Sequence, residues 1–162
     1  MTEVTIREFR DDDIAALDRV YSQPSVILNT LSVPYTTGEE RSRRFTVSGH
    51  GRIVVAEINE EPAGFGDLRI FVRRRAHAAH IGLAVDSAHA DRGVGSALLQ
   101  ALIDLGERWY GIKRFELKVF TANSRATDLY RRFGFTIEAT HRQFALRDGE
   151  YADAYTMARL RD

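Results

Sequence analysis

The chain has 162 residues, 44% of them hydrophobic and 10% aromatic, enough to build the core of one domain spanning 1–162. Its 23 basic and 23 acidic residues leave a formal net charge of zero, which argues against the basic footprint of a nucleic-acid binder. Cysteine is absent, which excludes disulfides, thiolate nucleophiles and zinc ribbons.

The five histidines include no i, i+4 pair of the kind that binds a metal, and no metal is expected. The opening "MTEVTIREFRDDD" is charged and has no apolar signal core. No run approaches the ~18 apolar residues of a membrane span. A soluble cytoplasmic protein without membrane or nucleic-acid partners is the expectation.

In chain order, "EVTIREFR" alternates Val4, Ile6 and Phe9 with polar residues and reads as a strand. "DDDIAALDRVYS" follows with an acidic start and Ile14, Leu17, Val20 and Tyr21 at helical spacing. Between Pro24 and Pro34, "SVILNTLSV" is too short and irregular to assign, and "TGEERSRRFTVS" reads as a second short helix. "RIVVAEI" and "AGFGDLRIFV" form a hairpin across "NEEP", and "HIGLAV" is a further strand. A long helix follows the loop "DSAHAD", with Ala97, Leu98, Ala101, Leu102, Leu105 and Trp109 on its apolar face. Then come the strand "RFELKVF", the helix "NSRATDLYRRF", and the strands "FTIEATHRQFAL" and "YADAYTMARL" joined by "RDGE". This order predicts an α/β (α+β) domain, a mixed sheet with helices on its faces and room for a parallel crossover between Ile81 and Phe120.

The segment "DRGVGSALL" places Gly93 and Gly95 at the start of the long helix. There the first N–H groups lack intrahelical partners and the helix dipole favours an anion, above all a phosphate. Without Cβ atoms the glycines let a phosphate approach the backbone; they also suit a tight strand-to-helix turn. No Lys-Ser or Lys-Thr follows Gly95, so a P-loop is excluded. Leu98 stands where a dinucleotide fingerprint needs its third glycine, and "ELKVF" ends in Phe120 rather than an acid.

The run "IGLAVDSAHADRGVGSALL", then "ELKVF", then "NSRATDLYRRFGF" resembles the GCN5-related N-acetyltransferase (GNAT) family. That family has a loop (Arg/Gln)-x-x-Gly-x-(Gly/Ala) and a later Asn-x-x-Ala-x-x-x-Tyr-x-x-x-Gly-Phe, matched here by Asn123, Ala126, Tyr130, Gly134 and Phe135. The resemblance implies a mostly antiparallel sheet of about seven strands flanked by four helices. It also implies a splay between the strands at 80–85 and 114–120. Acetyl-CoA is the implied acyl donor. Its diphosphate would lie against Asp91, Arg92, Gly93, Val94, Gly95 and Ser96. Its pantetheine arm would lie along the backbone of Leu83, Ala84 and Val85, with Asn123 a further partner or a helix N-cap. The chain departs from the pattern where Arg or Gln is usual: Ala90 stands there, and Arg92 follows two residues later.

By the same resemblance Tyr130 donates a proton to the departing thiolate, although a tyrosine at this helical spacing also fits a core position. A phenol with an ordinary pKa near ~10 is protonated at neutral pH and suits that role. Some relatives carry a glutamate where His80 stands, so His80 is a candidate base, directly or through water. Glu116, on the neighbouring strand, is a second candidate. A half-exposed strand histidine is the structural alternative. Arg73–Arg75 reads as a solvated hairpin end, or as a grip on a substrate carboxylate.

"YSQPSVILNTLSVP" and "FALRDGEYADAYTMARL" resemble a narrower group, bacterial L-amino acid N-acetyltransferases acting on free residues such as phenylalanine and methionine. Asn29, Thr30, Leu31 and Pro34, and the stretch from Ala145 to Leu160, carry that likeness and imply a small-molecule amine acceptor. These segments equally fit a dimer surface, and a homodimer is expected. Peptide or protein N-terminal acetylation, modification of phosphinothricin-like amino acids, and a non-catalytic CoA sensor are the competing readings. Tyr130 in register disfavours the sensor.

Overall fold

A computed structural model describes residues 3–45 and 51–162. Period-two alternation and β-branched residues produce β1 (Val4–Glu8), β2 (Gly51–Ile58), β3 (Glu61–Ile70), β4 (Ala78–Val85), β5 (Arg114–Phe120), β6 (Thr136–Arg147) and β7 (Glu150–Leu160). They form one seven-stranded sheet in the order β1-β2-β3-β4-β5-β7-β6. Every pairing is antiparallel except β4 with β5. Two-residue turns with positive φ set the hairpin registers, Asn59–Glu60 between β2 and β3 and Asp148–Gly149 between β6 and β7.

Five α-helices occur among the described residues: α1 (Ile14–Tyr21), α2 (Pro24–Asn29), α3 (Gly38–Arg44), α4 (Val94–Trp109) and α5 (Ser124–Arg132). The sequence led us to expect four. The addition is α2, six residues between the prolines, begun by Pro24 at its first turn. A helix this short has little intrinsic stability, and α2 is anchored instead by Val26 in the core and by Arg147 Nε donating to the Leu28 carbonyl at 2.8 Å. In α3, Thr37 and Glu40 form a capping box. The last three residues of the helix read there, 46–48, lie outside the described residues.

Alternation along β3 assigns the two faces of the sheet. Leu68 joins Leu99, Leu102, Ile103, Phe115, Leu117 and Tyr130 beneath α4 and α5. Phe65 joins Leu17, Val20, Tyr21, Val26 and Ala84 beneath α1 and α2. The buried face of α4 is Val94, Leu98, Leu99, Leu102, Ile103 and Gly106, rotated from the face read in the sequence. Trp109 is 76% exposed. Phe115 and Ile112 pack against Gly106 so closely that a Cβ there would collide with the Phe115 ring. Periodicity alone does not report such a rotation.

Candidate active site

β4 and β5 are paired only at Ala78–Arg114, Ala79–Phe115 and His80–Glu116. Beyond that register they diverge, and the second half of β4 has no strand partner on this side. A cleft of about 1210 Å³ occupies the opening, on the scale of a small-molecule site with room for more than one ligand. Of the residues singled out in the sequence, His80, Leu83, Ala84, Val85, Asp91, Gly93, Val94, Gly95, Ser96, Asn123 and Tyr130 line it, as do Asn29, Thr30, Leu31 and Glu116. Arg92 is exposed and lies outside this lining.

One end of the cleft is the start of α4. Gly93 caps the helix in the left-handed conformation, φ 79°, which disfavours any residue with a Cβ. It supplies no side-chain cap, and the first intrahelical bond runs from the Ala97 N–H to the Gly93 carbonyl at 3.0 Å. The N–H groups of Val94, Gly95 and Ser96 are therefore left for an anion. Gly95 has a different reason to be glycine: a Cβ there would sit 3.2 Å from Leu129 and 3.9 Å from Val85, narrowing the cleft. The site thus fits a diphosphate through backbone donors and the helix dipole, without Arg92.

The loop before α4 is fixed from below. Asp86 is 1% exposed, accepts from Gln23 Nε2 and the Ala88 N–H at 2.9 Å each, and pairs with Arg19. Burial opposes its charge, yet these donors outweigh that and hold its carboxyl down at about 2. Arg125 of α5 pairs with Asp91 at 2.5 Å and joins the loop to the opposite wall.

Asn123 caps α5, its side-chain oxygen accepting from the Ala126 N–H at 3.2 Å. Tyr130, two turns beyond Asn123, is 8% exposed and packs on Phe135. Its hydroxyl has no hydrogen-bond partner among the described residues. Burial, then the charge of Asp67, raises its pKa to about 12. Tyr130 therefore remains protonated and able to donate throughout the neutral range.

The two candidate bases differ. His80 presents a buried Nδ1 with no partner among the described residues. Burial, then the charges of Arg69 and Lys118, lowers its pKa from 6.5 to about 4, so the ring is neutral at physiological pH but weakly basic. Burial alone would raise the Glu116 carboxyl, but Arg114 and Arg75, each 2.9 Å away, outweigh it and hold it below its ordinary range. Arg75 also stacks over Phe71, so one arginine of the Arg73–Arg75 run is turned to Glu116.

The His80 shift has a consequence for stability. The unfolded chain binds a proton between about pH 4 and 6.5 that folded His80 refuses, so this contribution is lost as pH falls through that window. His80→Gln is expected to flatten that part of the acid sensitivity, measured as urea midpoints at about pH 5 and pH 7.5. An unchanged difference between the two midpoints would refute it.

At the other end of the cleft, Asn29 and Thr30 close α2 through hydrogen bonds to the Ser25 and Val26 carbonyls at 2.9 and 2.8 Å. Leu31 projects beyond them, 59% exposed. Arg147 Nη2 donates to Asn29 Oδ1 at 3.3 Å, so the two segments singled out together in the sequence meet at the rim. The floor adds Asp67 and Arg69 of β3 and Lys118 of β5, which the sequence reading did not single out. A signal was available: in "AGFGDLRIFV", Asp67 and Arg69 continue the alternation begun by Phe65, charges on a strand face that also holds a buried aromatic.

The profile of the acetyltransferase (GNAT) family matches residues 16–135. The L-amino acid N-acetyltransferase AaaT of Escherichia coli (strain K12) is 38% identical over 162 residues, covering 99% of this chain and 100% of that one. A GCN5-related N-acetyltransferase from Kribbella flavida superposes with a TM-score of 0.87 at 25% identity, covering 98% of each chain. A spermidine N-acetyltransferase from Vibrio cholerae, in complex with CoA and spermine, gives 0.87 at 19% identity, covering 97% of this chain and 95% of that one. The chain belongs to the GNAT family, and it is an acetyltransferase. No described helix is long and apolar enough to cross a membrane.

Proposed function

We propose that the protein transfers the acetyl group of acetyl-CoA to the α-amine of a free L-amino acid, directly within a ternary complex. The observation that carries this reading is the cleft itself. A helix start with no side-chain cap lies at one end, and a charged floor under the α2 rim lies at the other. The likeness to AaaT over the whole chain supports the choice of acceptor. The Arg147–Asn29 contact supports a small one, because it ties the β6–β7 hairpin across the rim.

In this reading the first-turn amides of α4 hold the diphosphate, and the free edge of β4 pairs with the pantetheine. A fixed backbone N–H on that edge polarises the thioester carbonyl before charge develops on its oxygen. Tyr130 protonates the departing sulfur. The chain contains no cysteine to carry the acetyl group, which fits direct transfer.

The test is incubation of the purified protein with acetyl-CoA and a panel of free amino acids, polyamines and peptides, read by mass spectrometry. N-acetyl products are expected from free amino acids, phenylalanine and methionine among them. Turnover of peptides alone would establish the N-terminal alternative. CoA binding with no turnover would leave a sensor.

A further inference from the structure

The base needed by this reaction has a third candidate on the floor of the cleft. Asp67 lies on β3 directly opposite Gly82 of β4, so close that a Cβ at residue 82 would collide with its carboxylate. Glycine at 82 leaves the Asp67 carboxylate room over β4, between the end of the β4–β5 pairing and Leu83–Val85. Asp67 is half-buried, and its carboxylate has neither a hydrogen bond nor an ion pair among the described residues. Other buried or half-buried acids here are committed: Asp13 to Arg7, Asp86 to Arg19 and Gln23, Glu116 to Arg75 and Arg114. Asp67 is close enough to Tyr130 for its charge to act on the phenol. A carboxylate and a proton donor thus face one cleft from β3 and α5.

Resting on the function proposed above, we infer that Asp67 receives the ammonium of the incoming amino acid and accepts one of its protons, freeing the lone pair with which the nitrogen attacks the thioester. The nitrogen loses two protons in all. One passes to Asp67 and then to solvent. As the new C–N bond forms and the C–S bond breaks, Tyr130 gives its proton to sulfur, and the second proton from nitrogen restores the phenol.

The chemistry favours Asp67 over its neighbours. Burial raises its pKa, with Arg69 opposing more weakly, and a carboxylate raised in this way is the better base. His80 is pushed the other way, and Glu116 would have to abandon two arginines. Groups facing Asp67 across the cleft are Arg69 on its own strand, His80 on β4, Glu116 and Lys118 on β5, Tyr130 on α5 and Tyr21 on α1. The cations Arg69 and Lys118 line the same cleft and would pair with an amino-acid carboxylate once its ammonium meets Asp67.

Asp67→Asn separates this role from a structural one. A structural carboxylate would lose stability when neutralised. Here folding retains a proton that the unfolded chain releases, so Asp67 makes the protein less stable as pH rises through its shifted range. The Asn variant should therefore melt at or above the wild-type temperature at neutral pH and bind acetyl-CoA as wild type does. Its kcat/KM for free amino acids should fall about 10²-fold or more at neutral pH, and the defect should shrink as pH approaches the pKa of the amine itself. Asp67→Ser repeats the test should the Asn amide not be accommodated over Gly82. Wild-type activity in a folded variant, a loss independent of pH, or a lowered melting temperature overturns the assignment. If the wild type acetylates no free amino acid, the proposed function fails and Asp67's role with it. An active wild type with an unimpaired variant removes Asp67 alone.

Discussion

Tyr130→Phe is expected to lower kcat by about 10²–10⁴-fold while leaving acetyl-CoA affinity unchanged, because it removes a proton donor used only as the thioester breaks. The ring carries the packing: Tyr130 is 8% exposed and lies in the core cluster with Leu99, Phe115 and Phe135. Phenylalanine preserves that contact, and the lost hydroxyl breaks no hydrogen bond to another described residue. Stability should stay within about 1 kcal/mol of wild type, since no cavity opens and no partner is orphaned. With a pKa of about 12, the phenol should put no basic limb of its own into the pH–rate profile below about pH 10. Steady-state kinetics, with CoA affinity from calorimetry, tests the claim. Full turnover in Tyr130→Phe would remove the residue on which the proposed chemistry most depends.

Gly95→Trp should abolish acetyl-CoA binding in a protein that still folds. The indole would enter the space between Val85 and Leu129, both on the cleft wall, where a single Cβ already comes within 3.9 and 3.2 Å. Gly95 is half-buried at the open start of α4, so the added bulk meets the cleft rather than the core beneath Leu98 and Leu102. For the wild type, ligand at about a hundred times Kd adds about 2.7 kcal/mol, roughly 5–10 °C in melting temperature for a chain of this size. That shift should vanish in Gly95→Trp. Retained ligand stabilisation in the variant would take the diphosphate site away from the start of α4.

The sequence carried the elements whose signals are local. All seven strands were read from the sequence, the Asp148–Gly149 turn marked the last hairpin, and Asn123 with Ala126, Tyr130 and Gly134 marked both a helix start and a family. Gly93 and Gly95 were legible for the same reason: special backbone geometry demands a particular residue where it occurs. What was misread involved choices made by distant partners. Trp109 continues the apolar period of α4, yet it is exposed, and the buried face is that of Val94, Leu98, Leu102 and Gly106. Helix α2 has too few residues to declare itself and depends on Arg147, 119 positions from Leu28.

The acid–base chemistry of the cleft belongs to tertiary structure almost entirely. Sequence spacing placed His80 and Glu116 on neighbouring strands, and they are indeed register partners. Their proton affinities are set elsewhere, by Arg69 and Lys118 around the imidazole and by Arg75 and Arg114 around the carboxylate. Asp67 was one charged residue in a strand until folding set it over Gly82, with no partner of its own and Tyr130 near enough to feel its charge. Residue type and period are written in the chain and determine strands, helices and the backbone cradle at Gly93. A pKa depends on desolvation and on charges within a few ångströms, and only the folded chain brings those together.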